Sequence, residues 1–158
     1  MSQFNVEKDK NMSPQYFGLA LLAGGLLTLQ IGVNASLAKY LSSPMGAAAL
    51  SFTIGAIALI VYFAIIQAPI PSIATFRALP LWTLAGGVLG AIYVAATIIC
   101  APHLGSTLLV VLVITGQMIV ALVLDHYGLV GFPVREINFM RIIAAVMLIV
   151  SVVILVKN

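Results

Sequence analysis

Two carboxamides, Gln30 and Asn34, stand four residues apart in the stretch Tyr16 to Lys39, whose first 23 residues carry no charge. As a helix, a run of that length crosses the roughly 30 Å hydrocarbon core of a bilayer. Residues four apart share a helix face, so both amides point the same way, together with Ala23, Leu27 and Leu37. The opposite side is small: Gly24, Thr28, Gly32 and Ala35. Polar groups in hydrocarbon are costly and face a protein interior or a wet cavity. An amide donates and accepts hydrogen bonds without fixed charge. The pair therefore suits a site for a polar, uncharged group, and it equally suits hydrogen bonding between helices.

Other candidates are sparse. Gln117 is the natural third amide, with Thr115 close in sequence, and Tyr93 offers a hydroxyl near the middle of another apolar run. Ser51 is a weaker member; with Gly55 it also forms a small-residue packing pair, as Gly86, Gly87 and Gly90 do. Asp125 beside His126 reads either as a gate or proton site at the membrane edge, or as a solvated helix terminus. Enzyme chemistry is not expected. The four carboxylates all lie outside the apolar runs, and the sequence carries neither a metal-ligand cluster, nor a phosphate loop, nor a framed nucleophile. No cofactor or metal is expected.

The elements that position these groups are set by composition. The chain of 158 residues is 63% apolar and 7% charged, with a mean hydropathy of +1.21. Soluble domains are about 25% charged, so this is an all-α integral membrane protein. The runs are continuous rather than alternating, which excludes a β-barrel. Five helices are expected, over about 16–38, 45–67, 81–101, 106–124 and 139–156, behind a polar tail over 1–13. Residues 14–158 then form one transmembrane domain. All seven prolines are read as lying between the runs, and Pro102, His103 and Gly105 as a tight connection joining two antiparallel helices. Ser42 and Ser43 are N-cap candidates ahead of Pro44. Tyr16, Tyr40, Tyr62, Trp82, Tyr127 and Phe139 fall near helix ends, as an interfacial belt does.

The first run is too long for a cleaved signal peptide and is expected to be the first span of the mature protein. Cys100 is alone, which excludes an internal disulfide. The net charge of +3 comes from scattered Lys and Arg and forms no nucleic-acid patch. With the N-terminus inside, Lys8, Lys10, Arg77, Arg135 and Arg141 are cytoplasmic, and Lys39 and Lys157 are outside, five against two, which favours an inside N-terminus and an outside C-terminus. Discounting Lys8 and Lys10, which lie among acids before the first run, leaves three against two. Dual insertion stays open.

The first span with LQIGVNASLAKYL, the Pro-initiated second span with Ser51, Phe52 and Gly55, the segment GQMIVALVLDHYGLVG and the Arg at the start of the last helix together resemble the YdcZ-like family of the drug/metabolite transporter superfamily. The resemblance covers the chain from about Ser13 to its end. It implies an inner-membrane transporter built from five-helix units paired in opposite orientations, as an antiparallel homodimer or with an oppositely oriented homologue. Small multidrug exporters of the same superfamily have four spans and a glutamate in the first; here Gln30 and Asn34 stand instead. A neutral, zwitterionic or weakly polar small molecule is therefore the expected substrate, lined by Gln30, Asn34, Gln117, Tyr93 and Ser51. The alternative is an accessory or assembly subunit of the membrane that transports nothing, its amides serving as glue between helices.

Overall fold

The computed structural model describes residues 14–157. The tail over 1–13, with Lys8 and Lys10, and the last residue, Asn158, lie outside them. The described chain is helical: α1 (Pro14–Leu41), α2 (Pro44–Ile65), the single turn α3 (Ile73–Arg77), α4 (Ala85–Tyr127) and α5 (Phe139–Lys157). Tight 3-10 turns at Leu81–Leu84 and Leu129–Gly131 precede α4 and α5. Four helical stretches among the described residues are long and apolar enough to cross a membrane, namely Pro14–Leu41, Pro44–Ile65, Leu81–Tyr127 and Phe139–Lys157.

In hydrocarbon every backbone polar group must be satisfied within the chain, so the helix ends are closely capped. Ser42 takes a left-handed φ of 51°. Its N–H donates to Lys39 O at 3.4 Å, and that of Ser43 to Ala38 O at 3.1 Å. This is a Schellman closure built on serine instead of glycine. Ser43 then caps the next helix, its Oγ accepting from Gly46 N at 3.0 Å, with Pro44 in the first helical turn. The two adjacent serines thus divide the work, Ser42 ending α1 and Ser43 starting α2. Gln67, with φ 49°, ends α2 by the same closure.

The runs expected as separate spans over 81–101 and 106–124 are two helical arms that meet at a kink at Gly105, with no loop between them; the 43 residues together are α4. The connection expected at Pro102, His103 and Gly105 is tighter than the sequence suggests. Helical geometry continues through Pro102 and His103, so Pro102 lies inside a helix and not between runs, and only Gly105 departs from it, at φ 70° and ψ 169°. That region is open essentially to glycine alone. The chain reverses there. Leu89 and Leu124 line one common groove, whereas a straight helix would hold them about 50 Å apart.

The folded α4 is the hub. It packs against α1, α2 and α5, α1 packs on α2, and α5 touches no other long helix. The core is a cluster of Ala47, Ala48, Val94, Ala95 and Ile98, backed by Leu37, Ala38 and Tyr93. Two alanines on α2 let its backbone approach α4 closely. No residue of α5 is buried.

At Gly105 an added Cβ would meet nothing within 4 Å, so the cost of substitution is backbone strain alone. Gly105→Ala is expected to lose about 1–3 kcal/mol of stability in detergent, read from denaturant unfolding. An unchanged midpoint would show that the reversal does not depend on glycine.

Candidate functional site

The reversal of α4 forms a small, partly open cavity of about 70 Å³ against α1. Gly24, Leu27, Thr28 and Ile31 line it from α1; Tyr93 lines it from the first arm of α4, and Val110, Val113, Ile114 and Gln117 from the second. In one copy it is smaller than the roughly 300–1,000 Å³ of a small-molecule site, but its lining is of that kind, apolar with few polar groups. Gly24 faces open space, with nothing within 4 Å of an added Cβ.

The polar groups differ in what remains free. Thr28 Oγ1 donates to Gly24 O at 3.1 Å, so its donor is used and its lone pairs remain. Thr115, buried, donates to Val111 O at 2.7 Å, and Thr97 to Val94 O at 2.9 Å; both hydroxyls serve their own helix. Neither the Tyr93 hydroxyl nor the Gln117 amide has a hydrogen-bond partner among the described residues. These two free groups meet at one cavity although 24 positions separate them.

The amides of α1 part company. Asn34 is 4% exposed, and its amide has no partner among the described residues. No buried side-chain nitrogen or oxygen is sealed without a partner, so the slight exposure of Asn34 lies at its polar end. It sits one turn beyond Ile31 and is not among the residues lining the cavity. Gln30 is exposed and Ser51 half-buried, and neither is among the residues lining the cavity. Thr28 and Gly24 belong to the side of α1 that sequence reasoning takes for a packing seam. The small residues there leave space, and the signal for that was their coincidence with a lone threonine.

Asp125 and His126 are engaged with the loop that follows them. Asp125 Oδ2 pairs with Arg141 Nη1 at 3.2 Å, both side chains about a quarter exposed. Arg141 Nη1 also donates to Arg135 O at 3.2 Å, while Arg135 N donates to Asp125 O at 2.7 Å. His126 Nδ1 accepts from Ile137 N at 3.4 Å, and the Asn138 side chain caps α5 by accepting from Arg141 N at 3.0 Å. Together they latch α5 to the end of α4. The pair read either as a gate or proton site or as a solvated helix terminus makes contacts that the sequence hides, because Arg141 is 16 positions away.

Each charge of this latch sits at the unfavourable end of its own helix, Asp125 in the last turn of α4 and Arg141 in the first of α5. Asp125→Asn alone is expected to cost about 1 kcal/mol in thermal unfolding. The exchanged pair, Asp125→Arg with Arg141→Asp, is expected to recover that loss, since each charge then complements its helix end by about 0.3–1 kcal/mol. If the exchanged pair melts as low as the single variant, the carbonyl of Arg135 and not the charge holds the latch.

No curated protein and no solved structure matches the chain. The family model described as "Putative inner membrane exporter, YdcZ" matches residues 15–154. That span takes in α1, α2, the folded α4 and nearly all of α5, including both arms of the cavity and the latch. With its four long apolar helices, the chain is a multi-pass membrane protein, a membrane transporter, and belongs to the YdcZ family of inner membrane exporters.

Proposed function

We propose that the chain is half of a drug/metabolite-type transporter and crosses the inner membrane five times, through α1, α2, the two arms of α4, and α5. Duplication of a unit with an odd number of crossings yields an inverted repeat around a site at mid-membrane, and two chains inserted in opposite senses reproduce that arrangement, which permits alternating access. The partner is a second, inverted copy or an oppositely oriented homologue. The observation that carries this reading is the cavity between α1 and the folded α4, lined by Tyr93 and Gln117, whose polar groups have no partner among the described residues. The substrate is a small molecule, mostly apolar with one uncharged or zwitterionic polar end, because no charged side chain lines the cavity. Asn34 and Gln30 complete the polar path on α1, Gln30 from an exposed position that lipid alone would not satisfy. Ser51 borders the same path from α2. Export, the direction the family description names, carries the substrate outward.

The test is ligand-induced stabilisation of the purified protein across a panel of neutral and zwitterionic metabolites, followed by flux in vesicles. Tyr93→Phe and Gln117→Ala are each expected to weaken the response about fivefold, the loss of one hydrogen bond near 1 kcal/mol. Gly24→Leu is expected to abolish it by filling the cavity, with stability unchanged. An accessory subunit would show no ligand response in the parent and lose association when Gln30 or Asn34 is changed.

Fusion of periplasm-active and cytoplasm-active reporters after Asn158 is expected to give signal from both, since the charge bias is small. A periplasmic signal alone would transfer the inverted role to a different chain.

A further inference from the structure

The connector between α2 and α4 is long and does not pack on the bundle. Every residue from Pro69 to Leu89 is exposed, and α3 touches none of the other helices. Its apolar side chains are nevertheless large, and several stand well out, 59% exposed for Phe76, 60% for Trp82 and 84% for Ile70. Ile73, Phe76 and Arg77 fall on one face of α3, three and four positions apart. Ser72 caps the turn, its Oγ accepting from Thr75 N at 3.2 Å. A five-residue helix held by its own cap is far below the roughly 12–15 residues at which isolated helices become even marginal in water. Contact with surroundings outside the described chain would add to its stability.

Charge identifies those surroundings. Arg77 is the one charged residue between Lys39 and Asp125. The one ion pair among the described residues is that of Asp125 with Arg141, so Arg77 has no counter-ion there. The connector joins two apolar helices at the end of the bundle where Leu89 meets Leu124, the end that also bears Arg135 and Arg141. Continuity with the spans sets it at the bilayer boundary, where a helix turn lowers the cost of its polar backbone and apolar side chains reach acyl chains.

We infer that the segment from Ile70 to Trp82 docks on the membrane surface itself, with Ile70, Ile73, Phe76 and Trp82 among the acyl chains and the Arg77 guanidinium on the phosphates of anionic lipids. Phosphate is the group a guanidinium binds with two parallel bonds. Such contact is stronger in anionic membranes and is screened by salt. The inference rests on α2 and α4 spanning the bilayer, and it is independent of any transport activity.

Trp82 is the single tryptophan of the chain, so its fluorescence reports this segment in the full-length protein. The protein is reconstituted in nanodiscs of phosphatidylcholine with and without phosphatidylglycerol, and quenched by shallow-brominated lipid, deep-brominated lipid or aqueous acrylamide. Docking predicts blue-shifted emission, strongest quenching by the shallow lipid, and a further blue shift with phosphatidylglycerol that high salt removes. Arg77→Gln is expected to lose the phosphatidylglycerol response while keeping quenching by shallow lipid. Ile73→Ser with Phe76→Ser is expected to shift emission to the red and open Trp82 to acrylamide. Full acrylamide access in the parent protein would overturn the inference. So would protection from all three quenchers that vanishes on dilution to single copies, because a second copy would then be the cover. A phosphatidylglycerol response unchanged in Arg77→Gln would overturn the role of the guanidinium.

Discussion

The backbone reversal at Gly105 is the constraint on which the remaining structure depends. A helix of 43 residues would extend about 64 Å if straight, twice the hydrocarbon thickness. Folding it at one residue brings Tyr93 to Gln117 and Leu89 to Leu124, and carries Asp125 to where Arg141 can meet it. A longer loop would leave irregular backbone to satisfy in a poorly hydrated place. A glycine at φ 70° avoids that cost because the helical bonding runs up to it on both sides. The same economy explains the serine pair between α1 and α2, where one residue closes a helix and the next opens another.

The described bundle is held by few buried contacts. The core cluster joins α1, α2 and the first arm of α4, while α5 depends on α4 alone and on the latch around Asp125. Between lipid and protein there is little hydrophobic driving force, so close packing and polar bonds decide what stays together. Alanine at 47 and 48 supplies the first, and the latch at the membrane edge supplies the second. The cavity falls between these two fixed regions, along the part of α1 that carries Gly24 and Thr28.

The class of the protein was legible because hydropathy is a property of each run taken alone. The caps were nearly so, since proline and serine act on their own neighbours; what could not be read was that helix would persist through Pro102 and break only at Gly105. The binding groups were legible in kind more than in place. Gln30 and Asn34 lie 40° apart around a helix, near enough to be called one face. The interior boundary nevertheless runs between them, burying Asn34 and leaving Gln30 exposed. The meeting of Tyr93 with Gln117 depends on where α4 turns, and the pairing of Asp125 with Arg141 on how a loop closes. Neither is a local property. Thr28 escaped notice because it sits among small residues, which signal close packing and empty space alike.

The unequal fate of the two α1 amides bears on the proposed pairing. An exposed glutamine facing acyl chains would be left without partners in a medium that offers none. Gln117 is exposed as well, yet it borders the cavity. On the proposed pairing, a second unit in the opposite sense covers both, and the cavity seen in one copy becomes one side of a pathway between two. The absence of charge from that lining then has a consequence for energetics. A carboxylate would have to change protonation to release its cargo, whereas amides and a phenol can exchange a substrate for water at little cost. On the proposed reading, such a site favours release over tight capture.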